Sequence, residues 1–262
     1  MLTFTHTYLI NLAYKKLHNS NIPLDNCEII LGNVIPDFVT HIGRTKYQAT
    51  AHNLTVFTSL PRRTPFELGA MFHILCDNYT TLGRITFEGI YSDFPKNGFI
   101  EKLSKNVIIN IPLKLPKRRI LQCGFDILVI RDQKELLIDL LKSAEYFLQD
   151  NLNNILKRVS LIYNINQQQL KVGLCRFSQI YGANFIEQAA LEKYRLFPLI
   201  RSLLNLDSLT NPQIIYQEID RHPELIELVE LNMGIIKHNW HELLEQTVRE
   251  VLKFQGMEEA LS

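Results

Sequence analysis

The sequence lacks the features that mark a membrane or exported protein. Its 262 residues contain no apolar run long enough to span a bilayer, and the N-terminal residues show no basic stretch followed by an apolar core and a cleavage site. The four cysteines are scattered in apolar surroundings without Cys-x-x-Cys spacing, which predicts reduced core cysteines rather than disulfides or a thiolate metal site. Together these absences predict a cytoplasmic protein without a transmembrane segment.

An excess of charge of either sign is also missing. The chain has 28 lysines and arginines against 27 aspartates and glutamates, a formal net charge of +1. Because nucleic-acid-binding proteins usually rely on a strong basic field, this balance argues against a dedicated nucleic-acid partner. Small molecules, lipid headgroups and proteins remain as partner classes, and the sequence leaves the oligomeric state open.

The motifs of several large enzyme classes are absent as well. The sequence has no Gly-x-Ser-x-Gly elbow, no phosphate-binding glycine-rich loop, no Gly-x-Gly-x-x-Gly fingerprint and no His-Glu-x-x-His helix. It also lacks the His-Asp dipeptide of another family of helical metal phosphohydrolases. A catalytic site in this chain therefore has to be built from other residues.

Helical periodicity dominates what is present and predicts an all-α fold, a single domain spanning residues 1–262. The clearest start signal is Thr64, which can cap a helix with Pro65 at its first position and Glu67 in a capping box. Gly32 and Pro36 are expected to end an earlier helix. The predicted helical segments are approximately 3–17, 25–36, 46–60, 65–80, 119–163, 166–205, a short one from 211, and 223–254 with a break near residue 234.

Residues 84–118 interrupt the helical pattern. Several prolines and the β-branched run Val107–Ile111 predict a partly irregular insertion with a short strand or an extended arm. Its lysines and arginines could meet an anionic substrate or a membrane, although a solvated basic loop is the simpler interpretation. Surface packing is likewise a simpler role for the insertion than a functional lid.

His73 and Asp77 form the most informative pair in the sequence. They stand four residues apart in an otherwise apolar segment, so a helix places them on one face in a buried environment. A buried carboxylate needs a partner, either a divalent cation that uses both groups as ligands or an ordinary His–Asp hydrogen bond. Upstream, His6, Asp37 and His52 offer further nitrogen and oxygen ligands, which suit zinc or another divalent metal. Each of these three residues alone also has an ordinary explanation as an exposed, turn or surface residue.

In order and spacing, these residues resemble the zinc-dependent phospholipase C family, which is related to the single-strand-specific zinc nucleases. The resemblance covers about residues 1–82 and implies a multi-helix phospholipase C/nuclease-like bundle. It rests on an early helix with His6, on Leu31-Gly-Asn-Val-Ile-Pro-Asp37, on His52, and on Gly69-Ala-Met-Phe-His73-Ile-Leu-Cys-Asp77.

The resemblance also implies an activity and a set of ligands. Asp37, His52, His73 and Asp77 would bind one zinc ion, and His6 with Asp77 would help to bind a second, with Asp77 bridging the two. Asp37 and Asp77 are then the candidate catalytic residues. A metal-bound hydroxide would attack a phosphodiester, and the substrate would be a small phosphoester or a phospholipid headgroup. One or two ions, of zinc or another divalent metal, are compatible with this set.

The chain departs from the family's pattern outside this set. Secreted members use a processed N-terminal residue as a ligand, whereas His6 here follows five other residues, and no histidine comes soon after Asp77. The family's downstream His-x-x-x-Glu is replaced by Gln122-Cys-Gly-Phe-Asp126, which makes Asp126 a candidate for a second, rebuilt site. His238 and Glu242 could also reach the site, although a solvated helix face explains their polar surroundings better.

These departures leave two other functions open. The first is a non-catalytic helical module that retains a partial structural metal site and binds its partner elsewhere. The second is a single-strand nuclease, for which the near-neutral charge gives no electrostatic support.

Overall fold

The computed structural model confirms the all-α fold class. The structure describes residues 3–42, 44–58, 63–78, 117–181, 240–254 and 257–261, together with positions 183, 217, 233–234 and 237–238, and within these ranges every regular element is a helix. The helices are α1 (Thr3–His18), α2 (Cys27–Ile42), α3 (Arg44–Ala51), α4 (Thr55–Thr58), α5 (Pro65–Asn78), α6 (Lys117–Tyr163), α7 (Gln167–Tyr181), α8 (Trp240–Leu252) and α9 (Met257–Leu261). No helix in the described ranges combines the length and the apolar character needed to cross a bilayer.

The helices α1, α5 and α6 agree closely with the sequence-based prediction. The helix α5 begins at Pro65 as expected, because the backbone N–H of Thr64 donates to Oε2 of Glu67 at 2.9 Å in the predicted capping box. The helix α6 begins at Lys117, two residues before the prediction, and has non-helical backbone angles at Gln133 and Asn151. Residues 84–116, with the predicted strand at 107–111, lie outside the described residues.

The prediction for the end of α2 was wrong. Gly32 and Pro36 were expected to stop this helix, but α2 continues through both to Ile42, so Asp37 lies within a helix rather than in a turn. Pro36 removes one backbone hydrogen bond, which packing against the neighbouring helix offsets. Gly32 serves that packing, because a Cβ there would clash with the carbonyl group of Phe66 on α5.

Backbone contact between α2 and α5 organises the centre of the molecule. A Cβ on Gly69 would clash with the carbonyl oxygen of Ile29 and would lie 2.7 Å from the nitrogen of Asn33. Thr64 donates to Glu28 where both helices begin, whereas Asn33 and Asp37 lie beside His73 farther along, so α2 and α5 run in the same direction. The pair packs against α1, which is buried at every residue from Thr3 to Asn11, and against α6. This packing aligns the C-terminal halves of α2 and α5 with the N-terminal half of α1.

At the N-terminal ends of α2 and α5, four residues form what we call the Arg158 cluster: Glu28, Thr64, Glu67 and Arg158. Nε of Arg158 donates to Oε1 of Glu67 at 2.6 Å, and a terminal nitrogen of Arg158 donates to Oε1 of Glu28 at 2.8 Å. The guanidinium also contacts Thr64 and the second oxygen of Glu67, and it lies over the ring of Phe66. The cluster therefore ties α6 to both α2 and α5.

Candidate metal centre

The structure brings together all five residues that the sequence predicts as primary metal ligands. His6 comes from α1, Asp37 from α2, His52 from the turn between α3 and α4, and His73 with Asp77 from α5. We call these five residues the His/Asp cluster. Their ligand atoms form two groups, each with all members within 4.8 Å of one another: His6, His73 and Asp77, and Asp37, His52 and His73. Because His73 belongs to both groups, the two are parts of one site.

Asp77 lies at the centre of the His/Asp cluster and uses its two oxygens in different directions. Its Oδ1 lies 3.3 Å from Nε2 of His6, and its Oδ2 lies 3.3 Å from Nε2 of His52. Nε2 of His73 lies 3.8 Å from Oδ2 of Asp77 and also 3.8 Å from Oδ1 of Asp37. The two oxygens of Asp77 therefore face different histidines, and His73 faces both carboxylates.

The hydrogen-bond partner of His73 fixes the state of its ring. Nδ1 of His73 lies 2.7 Å from the backbone carbonyl oxygen of Asn33, and a carbonyl can only accept, so Nδ1 carries the hydrogen. Burial, with repulsion from the neighbouring His6 ring, lowers the pKa of His73 well below its ordinary value, which keeps the ring neutral. Nε2 of His73 therefore presents a bare lone pair to the carboxylates of Asp37 and Asp77.

A bare lone pair facing two carboxylates is unfavourable unless a cation lies between them. Nε2 of His73 is fully buried and has no hydrogen-bond partner among the described residues. The distances of 3.3 to 3.8 Å are longer than good hydrogen bonds. Ligands bound about 2.1 Å from a tetrahedral ion stand roughly 3.4 Å apart, so the spacing fits a shared cation. Three imidazole nitrogens and two carboxylates also form a donor set that suits zinc.

The remaining pKa shifts in the His/Asp cluster follow from burial and from Asp77. Burial lowers the pKa of His6, although the adjacent Asp77 opposes this. Burial also acts to lower the pKa of His52, but the contact with Asp77 outweighs it and the pKa is raised. For Asp77, burial acts to raise the pKa, whereas the positive amino terminus and the contacts with His52 and His6 hold it well below its ordinary value. The Asp77 carboxylate is therefore charged near neutral pH, which is the form that binds a cation.

Access to the His/Asp cluster is uneven. The side chains of His6 and His73 are fully buried, and that of Asp77 is 7 % exposed. His52 and Asp37 are the most accessible members, with 18 % and 15 % of their side chains exposed. A ligand from solvent would therefore approach from the side of Asp37 and His52.

Two residues that support the cluster were not identified from the sequence. Oγ1 of Thr3 donates to Oδ2 of Asp37 at 3.1 Å, which leaves Oδ1 of Asp37 turned toward His73. Asn33 accepts the Nδ1 hydrogen of His73 through its backbone. Spacing gives a signal for Asn33, because it lies four residues before Asp37, but only on a helix that continues through Pro36.

The downstream candidates occupy other positions. Asp126 is fully buried, and its Oδ1 accepts the backbone N–H of Thr5 at 2.8 Å and also the Thr5 hydroxyl, so it binds the first turn of α1. It belongs to neither group of metal-ligating atoms found in the described residues, and its role in a second site stays a prediction. His238 and Glu242 are exposed, as expected of a solvated face. The side chain of Gln122 lies outside the described residues.

Comparison with models of protein families, with curated proteins and with solved structures finds no match to this chain.

Proposed function

We propose that this chain is a metal-dependent phosphoesterase that resembles the zinc-dependent phospholipases C. The observation that carries the proposal is the convergence of five nitrogen and oxygen ligands from four separate parts of the chain, with the bare Nε2 of His73 facing Asp37 and Asp77. A purely structural His–Asp hydrogen bond would place a hydrogen between these atoms at a shorter distance. The cluster instead has the spacing of ligands around a cation.

The residues divide into two ligand sets in this proposal. Asp37, His52, His73 and Asp77 would hold one zinc ion, and His6 with the other oxygen of Asp77 would contribute to a second. When bound, such ions activate water and stabilise charge on phosphoryl oxygens. The carboxylates of Asp37 and Asp77, which we assign as the catalytic residues, supply the negative charge that holds the cations.

The substrate class follows from charge and access. Cations bound in the cluster would attract a phosphodiester anion, and the accessible side at Asp37 and His52 is where such an anion would enter. A small phosphodiester or the phosphate of a lipid headgroup satisfies this chemistry. The net charge of +1 gives no support for a long nucleic-acid substrate.

The test is phosphodiester hydrolysis by the metal-loaded protein. We expect zinc-dependent turnover of bis-p-nitrophenyl phosphate or of a phosphocholine ester, and no turnover above background for His73→Ala. His238→Ala removes an exposed histidine and is the matched control, which should retain full activity. Zinc-loaded wild-type protein that hydrolyses neither substrate faster than His73→Ala would contradict the proposal.

The second candidate function is a non-catalytic helical module with a structural metal site. Asp126 favours it, because this candidate for a rebuilt second site is engaged by Thr5 of α1. Under this alternative, zinc would bind stoichiometrically and raise the stability of the protein, but no phosphodiester would be hydrolysed. Metal content and turnover measured on the same sample therefore distinguish the two functions.

A further inference from the structure

The backbone carbonyl of Asn33 has a hydrogen-bond partner, whereas its side-chain amide has none among the described residues. Its carbonyl oxygen accepts the Nδ1 hydrogen of His73, but its side-chain amide is completely buried, and neither Oδ1 nor Nδ2 has a partner among the described residues. Buried amides without hydrogen bonds are rare, because the lost hydration is not replaced. Nδ1 of His6 is in the same position, fully buried and without a partner in the described part of the chain.

The stacking of two rings places the His6 ring near Asn33. The rings of His6 and His73 lie 3.6 Å apart with planes only 15° from parallel. Both rings direct Nε2 toward the carboxylate of Asp77. Since Nδ1 of His73 meets the backbone of Asn33 at 2.7 Å, the stacked ring of His6 lies close to the same part of α2.

We infer that the side-chain amide of Asn33 accepts the Nδ1 hydrogen of His6 through one buried water and thereby orients His6 as a ligand. Asn33 would then position both stacked histidines, His73 through its backbone and His6 through its side chain. Metal-binding histidines usually donate their second nitrogen to such an acceptor, which fixes the tautomer and aims the lone pair at the metal. This role as a positioning residue rests on the proposed metal centre.

The tautomer of His6 is the direct readout. Protein labelled with heavy nitrogen in its histidines shows by NMR which nitrogen of each ring carries the hydrogen, and the signals of His6 are identified by their loss in His6→Gln. In metal-free wild-type protein we expect the hydrogen of His6 on Nδ1 and a bare Nε2. A hydrogen on Nε2 of His6 would overturn the inference, even if no Asn33 variant folds.

Variants of Asn33 and Asn11 distinguish a role in positioning His6 from a general contribution to stability. Asn33→Leu should leave His73 unchanged, because the backbone carbonyl remains, but should abolish the preferred tautomer of His6 and weaken zinc binding about 10- to 100-fold. Asn33→Asp keeps an acceptor and should restore the tautomer of His6. Asn11→Leu is the control, since it removes another buried amide of the interior, one that is satisfied by Asn21 and Ile22.

The outcomes also separate this inference from the proposed function. An unchanged His6 spectrum in Asn33→Leu would overturn the role of Asn33, whatever zinc does. Failure of zinc to bind the wild-type protein would contradict the proposed function, while the tautomer of His6 in metal-free protein would still decide the role of Asn33. A change of the His6 tautomer in Asn11→Leu as large as that in Asn33→Leu would assign the effect to loosened packing and overturn the inference.

Discussion

The helices α2 and α5 hold polar side chains together at both ends, and the two groups differ in how their charges are matched. At the N-terminal ends, the guanidinium of Arg158 donates to Glu28 and Glu67 with good hydrogen-bond distances of 2.8 and 2.6 Å. At the C-terminal ends, the imidazole nitrogens of the His/Asp cluster stand 3.3 to 3.8 Å from the carboxylates of Asp37 and Asp77. In the Arg158 cluster, the positive charge that balances the carboxylates is an arginine of the chain itself. The His/Asp cluster instead has the spacing of ligands around a cation that would bind from solution.

Under the proposed function, the same helix pair separates a structural from a functional use of buried polar groups. Charged groups that only stabilise a fold are best satisfied by fixed partners, as Glu67 is by Arg158 and by the Thr64 cap. Bare lone pairs such as Nε2 of His73 are unfavourable in the metal-free protein and become useful only when a ligand binds. Four experiments test whether this difference is real.

Replacing Asp77 should have the largest effect. Asp77→Asn preserves the shape of the side chain but removes the charge that both ligand groups share, so we expect zinc affinity to fall further than the roughly 10- to 100-fold typical of an outer-shell residue. Metal content after reconstitution and dialysis measures this. Asp132→Asn is the matched control, because Asp132 lies 3.6 Å from His241 on the exposed surface. If Asp77→Asn still bound zinc stoichiometrically, the His/Asp cluster would not be the zinc site, and the contrast with the Arg158 cluster would not hold.

Replacing Arg158 should destabilise the fold without changing the metal site. Arg158→Met leaves Glu67, of which only 4 % is exposed, without its counter-charge, and we expect a loss of roughly 3 kcal/mol in the free energy of unfolding. Urea unfolding of the metal-free protein measures the loss. Arg249→Met, which breaks an exposed pair with Glu245, should cost no more than about 0.5 kcal/mol. Equal losses of unfolding free energy in the two variants would show that the hydrogen bonds of Arg158 do not stabilise the packing of α6 on α2 and α5.

The five residues that converge in the His/Asp cluster could be selected from the sequence by their order and spacing, although His6, Asp37 and His52 each have an ordinary explanation when taken alone. Helical spacing was enough to place His73 and Asp77 on one face, and the capping residues were enough to predict where α5 begins. The Arg158 cluster could not be predicted in this way, since Arg158 is 91 residues from Glu67 and 130 from Glu28. Gly32 was misinterpreted for the same reason, because its role depends on the backbone of Phe66 in another helix.

Adding zinc should stabilise the protein through the His/Asp cluster alone. At a free zinc concentration 100 times the dissociation constant, the free energy of unfolding should rise by about 2.7 kcal/mol. We expect a similar gain in Arg158→Met, because its ligands are unchanged, and no gain in Asp77→Asn. Thermal or urea unfolding with and without a chelator measures the increment. A gain in Asp77→Asn equal to that of the wild-type protein would locate the zinc elsewhere in the chain.

Asp126 should show the smallest effect on metal binding, because the two donors of Thr5 already occupy its Oδ1. Asp126→Asn keeps an oxygen in that position, so zinc affinity should change by no more than about twofold, whereas a ligand of a second site would show a larger loss.

The contribution of Asp126 to the stability of the fold depends on pH. Burial, opposed by the Thr5 hydrogen bonds, raises the pKa of Asp126 from 3.8 to about 7, so the unfolded chain releases this proton at lower pH than the folded chain. Wild-type stability should therefore fall relative to Asp126→Asn as pH rises from about 4 to about 7, by about 4 kcal/mol, and the difference should then level off. Urea unfolding of both proteins at several pH values measures it, and a difference independent of pH would show that Asp126 is not buried in a neutral form.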